Sequence, residues 1–464
     1  MKVSHFGGQA DVRRRSLRAV ALSPQALPRV STRAVSVRSP RAAVAVDTLA
    51  RRRAGVPAEI LIPPYSRESL ASLVARYGSP LFLLDCGVVR GEYRALGAAL
   101  PGVTLYYAVK AQPHPAVLAT LRDEGSSFEV TSTGEITLLQ SLGVPPEHCL
   151  HTHPVKSEQD IRASLDRGVK TFVVGSMEEM NKMGRVMNLP DLAGQRDQVR
   201  VILRLAFRNP EAQVDLSEKF GCVPEDALEI MERAKELDTA VSGFSFHAGS
   251  QARNPNNHVK AIQTCIGLIR EARARGLGDH LEVLDIGGGF PAKYDDQVPD
   301  IETFCRPIRE ALQELPSGIR AIAEPGRYVV AAAGTAVLTV RGTELRWGIP
   351  WVHLDDGNYG VFSGQMFDHQ LPRLEPLYPR EGLQQLCRFG GPTCDSGDLF
   401  ASQMMVPPQE KDLMIARQMG AYSTAHRTWF NMLKKAVLLP VNVAGPSERL
   451  RPVGSAEGQA AVGY

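Results

Sequence analysis

Between about residue 80 and residue 330, short apolar runs of strand length alternate with segments of helical period, and this alternation limits the fold more than any other feature of the chain. PLFLLD (80–85) opens the series. TLYYAVK (104–110) precedes HPAVLATLRDEG, SFEVTS (127–132) precedes GEITLLQSLG, and TFVVGS (171–176) precedes MEEMNKMGRVM. VRVILRLAF (199–207), GFSFHAGS (243–250), LEVLDIGGGF (281–290) and IRAIAEPG (319–326) complete it. Strand-like units about 30–40 residues apart indicate a parallel sheet, because parallel neighbours need a crossover and that crossover is usually a helix. A count near eight favours a closed (β/α)8 barrel over an open sheet.

The texture changes beyond residue 327. YVVAAAGTAVLTVRGTELR and WVHLDDGNYGVF read as hairpin-forming strands, with no long amphipathic helix between them. The α/β barrel is therefore expected over 88–327 and a mainly antiparallel β domain over 328–450, followed by a frayed tail at 451–464. Residues 58–87 read as an N-terminal segment that packs on the β domain. Within it Ser66 is positioned as an N-cap and Gly78 as a helix stop.

Composition excludes several classes. At 44% hydrophobic and 22% charged the chain can bury a core, and no run of about 18 apolar residues offers a membrane span. Seven cysteines lie scattered without a CxxC pair, which suits neither a disulfide framework nor a zinc site. Residues 1–57 carry Lys2 and eleven Arg against Asp11 and Asp47, a balance of +10; with +3 for the whole chain, the rest holds about −7. A mildly acidic body argues against nucleic-acid binding. The basic leader reads as a dispensable disordered extension or as a transit peptide, so a cytoplasmic location is expected with organelle import as the variant.

Barrels build their active sites at the C-terminal ends of their strands. Lys110 ends YYAVK, His247 ends FSFH, Gly287, Gly288 and Gly289 follow VLDI, and Glu324 and Arg327 follow AIA. A single lysine at a strand end is ordinarily a solvated loop residue, and a glycine run alone serves loops generally. Their convergence on one rim points instead to pyridoxal phosphate. That cofactor needs an amine, which burial would help to discharge by lowering its pKa. It also needs unobstructed backbone N–H groups with an arginine for the phosphate, and a carboxylate for the ring nitrogen.

With these residues in place, the chain resembles the fold-type III pyridoxal-phosphate decarboxylases, the ornithine, lysine, arginine and diaminopimelate decarboxylase group with an alanine-racemase-like barrel. The resemblance runs from about Pro80 to Asn431 through nine collinear elements: YYAVKAQPHPAVL, FEVTSTGEI, HTHPVKS, FSFHAGSQ, LDIGGGFP, AEPGRY, FDHQLPRL, GPTCDSGD and GAYSTAHRTWFN. It implies that Lys110 is the Schiff-base lysine, that His247 stacks on the ring, and that Glu324 pairs with the ring nitrogen. Ser250, the three glycines, Arg327 and Tyr422 correspond to phosphate-binding positions. Arg204 corresponds to an arginine near the cofactor, and Glu135 to an acidic residue supporting the histidine. Glu129 stands at an acidic cofactor position where eukaryotic forms have Asp. Cys394 corresponds to the cysteine that a partner subunit contributes to protonate the substrate carbon, which implies an obligate homodimer with shared sites.

The resemblance also bears on substrate. Asp368 of FDHQ matches the aspartate with which ornithine decarboxylases meet the distal ammonium, and Asp395 matches the aspartate beside the partner's cysteine. Tyr359 of DDGNYGVF is a further substrate-side candidate, or a plain interface aromatic. Diaminopimelate decarboxylases usually read Cys-Glu at the cysteine motif, so the Asp pair favours L-ornithine or L-lysine, with a diaminopimelate-type or other biosynthetic decarboxylase as the alternative. Phe367 replaces an aromatic hydroxyl common before the aspartate, which leaves chain length open. A racemase would need a partner tyrosine where GPTCD offers cysteine, and a non-catalytic relative would be expected to have lost cofactor residues that are all present here. Ser132 and Glu135 have capping-box spacing and serve a helix start equally well. Cys265 and Cys305 fall in helix-like segments and read as buried apolar residues.

Overall fold

A computed structural model of the chain describes residues 65–443 apart from 369, 371 and 401. The basic leader, the 451–464 tail and the stretch before Tyr65 lie outside the described residues, as does the Phe367 side chain. In chain order the strands are β1 (Leu81–Asp85), β2 (Thr104–Ala108), β3 (Ser127–Val130), β4 (Cys149–His151), β5 (Thr171–Val174), β6 (Arg200–Arg204), β7 (Val241–Ser245), β8 (Val283–Asp285) and β9 (Arg320–Ala323). They continue with β10 (Gly334–Arg346), β11 (Ile349–Leu354), β12 (Leu374–Pro376), β13 (Gln385–Gly390), β14 (Gln403–Met405), β15 (Leu413–Arg417) and β16 (Val437–Val441). The helices are α1 (Arg67–Tyr77), α2 (Cys86–Ala99), α3 (Pro115–Asp123), α4 (Thr133–Ser141), α5 (Glu158–Asp166), α6 (Met177–Met187), α7 (Ala227–Glu236), α8 (Asn256–Ala274), α9 (Ile301–Leu312), α10 (Arg327–Val330) and α11 (Ser363–Asp368).

Strands β2 to β9 pair in parallel and close into a barrel, with Thr104 of β2 opposite Ile322 of β9 at the seam. Leu150, Val173, Ile202, Val283 and Ile322 fill its interior as one buried layer, so the barrel is packed rather than open. Larger apolar residues on the outward strand faces meet the helices, where Cys265 of α8 and Cys305 of α9 are buried as expected. Helix starts follow local chemistry. Ser66 accepts from Ser69 N at 3.1 Å at the start of α1, and Ser157 with Asp160 forms a reciprocal cap on α5.

One strand escapes the sequence reading. The eighth barrel strand is β4, whose three residues CLH are too short to register as an apolar run. PLFLLD lies outside the barrel, in the 58–87 segment expected to pack on the β domain, and joins the other sheet, where β1 lies antiparallel to β10 and parallel to β16. That sheet runs β12-β15-β10-β11-β13-β14, with β1 and β16 attached through β10. It is mainly antiparallel, as expected, with β11–β13 as a second parallel pair beside β1–β16. Among the described residues, no helix is long and apolar enough to cross a membrane, and no group of three or more His, Cys, Asp or Glu could hold a metal ion.

Candidate active site

Strand β2 stops at Ala108, and Val109–Ala111 form a single 3-10 turn that lifts Lys110 onto the barrel rim. Its Nζ donates to Glu129 Oε2 at 2.7 Å. Glu129 is fully buried on β3, and its other oxygen accepts from Thr152 Oγ1. This arrangement overturns the expectation that burial leaves the amine discharged. Burial is the largest single influence and does lower the pKa of Lys110, but Glu129, Tyr422 and Glu324 together outweigh it and leave the pKa raised. The lysine is held as an ammonium.

Asp285, the last residue of β8, and Glu324, just beyond β9, are buried as neighbours. Burial raises both: Asp285 is pushed up to about 6 although the Glu324 hydrogen bond acts against it, and Glu324, with Asp285 and Glu129 adding to burial, is pushed well above the ordinary range. The pair therefore holds a proton to higher pH than ordinary carboxyls do. Arg204, at the end of β6, faces this acidic group. Burial lowers its pKa while Glu324, Asp285 and Glu129 act against that, and its Nε and Nη2 are buried without a hydrogen-bond partner. His247 lies two residues past the end of β7. Burial, then Arg204 and Lys110, holds its pKa well below the usual range, so the ring is neutral. Its Nδ1 accepts from Gly249 N at 3.0 Å, which assigns the ring hydrogen to Nε2.

Beside this group lies an anion cup. Arg327 is buried; its Nη2 donates to Ser250 Oγ at 2.7 Å and its Nη1 to Tyr294 OH at 3.2 Å. Its guanidinium carbon stands 4.9 Å from the centre of the Tyr422 ring. Tyr422 reaches that position with a left-handed backbone, φ 55°, held where its N–H donates to Ala111 O at 2.9 Å. The glycine run closes the cup. A Cβ at Gly288 would fall 2.8 Å from Glu324 O and 2.9 Å from His247 Nε2, and one at Gly289 would fall 2.6 Å from Gly249 O. Only a chain without side chains passes here.

Asp368, expected to meet substrate, forms an ion pair with Arg327 in this chain. Glu135, expected to support the histidine, accepts from Thr131 N at 2.6 Å and Thr131 Oγ1 at 3.0 Å. Ser132 caps α4 by accepting from Glu135 N at 3.3 Å, but the carboxylate turns to Thr131, so the reciprocal half of a capping box is not formed.

Cys394, Asp395 and Tyr359 make a separate cluster in the β domain. Tyr359 OH donates to Asp395, whose carboxyl it holds below the usual range, and the Tyr359 ring stacks on Phe430 with centroids 4.4 Å apart. Asn431 clamps the cysteine at both ends: Cys394 N donates to Asn431 Oδ1 at 2.9 Å, and Asn431 Nδ2 donates to Cys394 Sγ at 3.3 Å. Buried Asp398 ties the loops together by accepting from Asn358 N and Thr393 Oγ1, each at 2.7 Å. Cys394 is exposed, with exposed Trp429, Phe430 and Met432 close by in sequence to Asn431. Among the described residues, no hydrogen bond or ion pair joins these three to Lys110, Glu129, Arg204, His247, Ser250, Glu324, Arg327, Asp368 or Tyr422.

The residues present fit pyridoxal phosphate. Arg204 has unsatisfied buried donors, Arg327 has an unpartnered Nε, and the glycine cradle is one that a Cβ would fill. Glu324, with Asp285 beside it, supplies the carboxyl group that would hold the proton of a ring nitrogen. Sequence reasoning missed Asp285, Tyr294, Asp398 and Asn431. Asp285, Asp398 and Asn431 stand inside motifs already singled out, whereas nothing in PAKY marks Tyr294.

Residues 87–331 match the family described as pyridoxal-dependent decarboxylase, pyridoxal binding domain. A lysine/ornithine decarboxylase of Selenomonas ruminantium is 33% identical over 368 residues, covering 79% of this chain and 90% of the relative. Mouse ornithine decarboxylase is 31% identical over 375 residues, covering 75% and 78%. The crystal structure of lysine/ornithine decarboxylase from Vibrio vulnificus complexed with putrescine superposes with a TM-score of 0.75 at 43% identity, covering 83% of this chain and 100% of that one.

Proposed function

The chain belongs to the pyridoxal-dependent decarboxylases, enzymes acting on amino acids, and from that premise we propose that it converts L-ornithine or L-lysine to the corresponding diamine in sites shared by two subunits. Relatives named for ornithine and lysine, and a neighbour complexed with putrescine, support a basic substrate. The observation that carries the reading is the rim itself: a charged lysine on Glu129, a buried carboxyl pair and a glycine-lined arginine cup, all on one face of the barrel.

Lys110 would hold the cofactor aldehyde, Glu324 its ring nitrogen, and His247 its ring face. Ser250, Arg327, Tyr422 and the Gly287–Gly289 run would take the phosphate, through the N–H groups of Gly288 and Gly289, since Gly287 N donates to Asp285 Oδ1 at 2.9 Å. Pyridoxal phosphate, when bound, supplies the sink for the electron pair left at Cα as CO2 departs. The protein's own work is positional. A neutral His247 can pack on a cationic ring without charge repulsion, and Glu324 can keep a proton at the ring nitrogen.

Cys394 of the partner subunit would return a proton to Cα, and the partner subunit's Asp395 would meet Asp368 around the distal ammonium of the substrate. That no hydrogen bond or ion pair joins the two clusters within the described residues of one chain supports this sharing. Borohydride reduction of the cofactor-loaded enzyme followed by peptide mapping tests the reading. A pyridoxyl group on Lys110 is the expected result; a group on another lysine overturns it.

A further inference from the structure

The three carbonyls of the glycine run are each tied from outside the cup. Gly287 O accepts from Glu324 N at 2.9 Å, and Gly289 O accepts from Ala252 N at 3.0 Å. Gly288 O has a different partner, His258 Nε2 at 3.1 Å. His258 sits on α8 with no exposed surface, and its ring is enclosed by Phe246, Phe290 and Phe304 at centroid distances of 6.1, 5.4 and 5.8 Å. A carbonyl only accepts, so Nε2 carries the ring hydrogen and donates it. Nδ1 is then a bare lone pair among phenyl rings, in keeping with its having no hydrogen-bond partner. Burial holds the imidazole near pKa 4, so this tautomer persists through the neutral range.

In a trans peptide the C=O of one residue and the N–H of the next point in opposite directions. A donor that pulls Gly288 O toward α8 therefore turns the Gly289 N–H the other way. Of the three ties only this one is made by a side chain, and without it the two-sided freedom of glycine would let the 288–289 peptide rotate. We infer that His258 is a positioning residue for the cofactor phosphate: it orients the Gly288–Gly289 peptide so that the Gly289 N–H serves the anion cup. This inference rests on the pyridoxal-phosphate reading above.

The test uses the cofactor-free full chain, titrated by absorbance with pyridoxal phosphate and, separately, with pyridoxal, which lacks the phosphate. In His258→Phe the Kd for pyridoxal phosphate is expected to rise about five- to tenfold, the range of one lost hydrogen bond, while the Kd for pyridoxal stays within about twofold. His258→Gln, whose amide nitrogen can stand where Nε2 stands, is expected to recover most of the phosphate-specific loss. If the Phe variant fails to fold, His258→Asn replaces it, since its shorter amide reaches only the Nδ1 position. Equal losses for both ligands, or none for either, overturn the positioning role. A wild-type protein that binds neither ligand overturns the cofactor reading itself.

Discussion

Lys110 Nζ and Glu129 Oε2 stand 2.7 Å apart at the barrel rim, one residue on a solvent-facing turn and the other fully buried. The pair explains how an amine in a recess stays charged. It also sets a condition on function, because attack on an aldehyde requires the free amine and Glu129 opposes its formation.

Replacing Glu129 with Gln should lower the Lys110 pKa and move the pH profile of pyridoxal-phosphate capture toward acid. Capture at neutral pH should quicken by about tenfold, the lower end of what a charge-assisted hydrogen bond contributes. Stopped-flow absorbance across pH reads this directly, and an unmoved profile contradicts it. A lysine whose folded pKa is raised contributes stability at every pH below its ordinary value and loses it only as pH climbs through the raised one. The same substitution should therefore destabilise the protein at neutral pH, and the difference should vanish only in strong alkali.

Asp368 and Arg327 are both buried and ion-paired, with Arg327 also facing Ser250 and Tyr294. Asp368→Asn should leave a buried guanidinium short of a counter-charge, costing the cofactor-free protein on the order of 3 kcal/mol. A phosphate group restores that charge, so added pyridoxal phosphate should raise the variant's Tm more than it raises the wild type's. Equal gains in a thermal melt would count against this reading of the cup.

The Asp285–Glu324 pair predicts a pH dependence of the same sign in a lower window. Asp285 titrates near 6 in the folded protein against about 3.9 in an unfolded chain. Between those values the native state holds the extra proton, so stability falls as pH rises through the window. Asp285→Asn should flatten that slope in Tm measured from pH 4.5 to 7; superimposable slopes contradict the shared proton.

The fold was largely legible because most barrel strands are apolar runs bounded by turn residues, with period-3.6 segments between them. β4 was not, since three residues cannot display a period. Individual motifs marked Lys110, His247 and the glycines, yet the ionisation of Lys110 was misjudged. Sequence gives no distance from Lys110 to Glu129, and that distance decides whether burial or charge prevails. Asn431 illustrates the same limit. It lies in a motif already noted, but its clamp on Cys394 exists only because two loops 37 residues apart meet.

Shared sites predict complementation. Lys110→Ala and Cys394→Ala proteins, each inactive alone, should recover roughly a quarter of wild-type activity when mixed, since half the dimers are hybrids with one intact site. Demonstrated subunit exchange without recovery would place the whole site in one chain.

The loaded enzyme should decarboxylate a basic amino acid. Release of labelled CO2 from L-ornithine, L-lysine, L-arginine and meso-diaminopimelate, measured on wild type and Asp395→Asn, tests it most directly. Ornithine or lysine should be preferred, and the Asp395 change should lower kcat/KM on that substrate by about 10–100-fold while leaving the cofactor spectrum intact. Preference for meso-diaminopimelate, with turnover indifferent to the Asp395 change, would contradict the account.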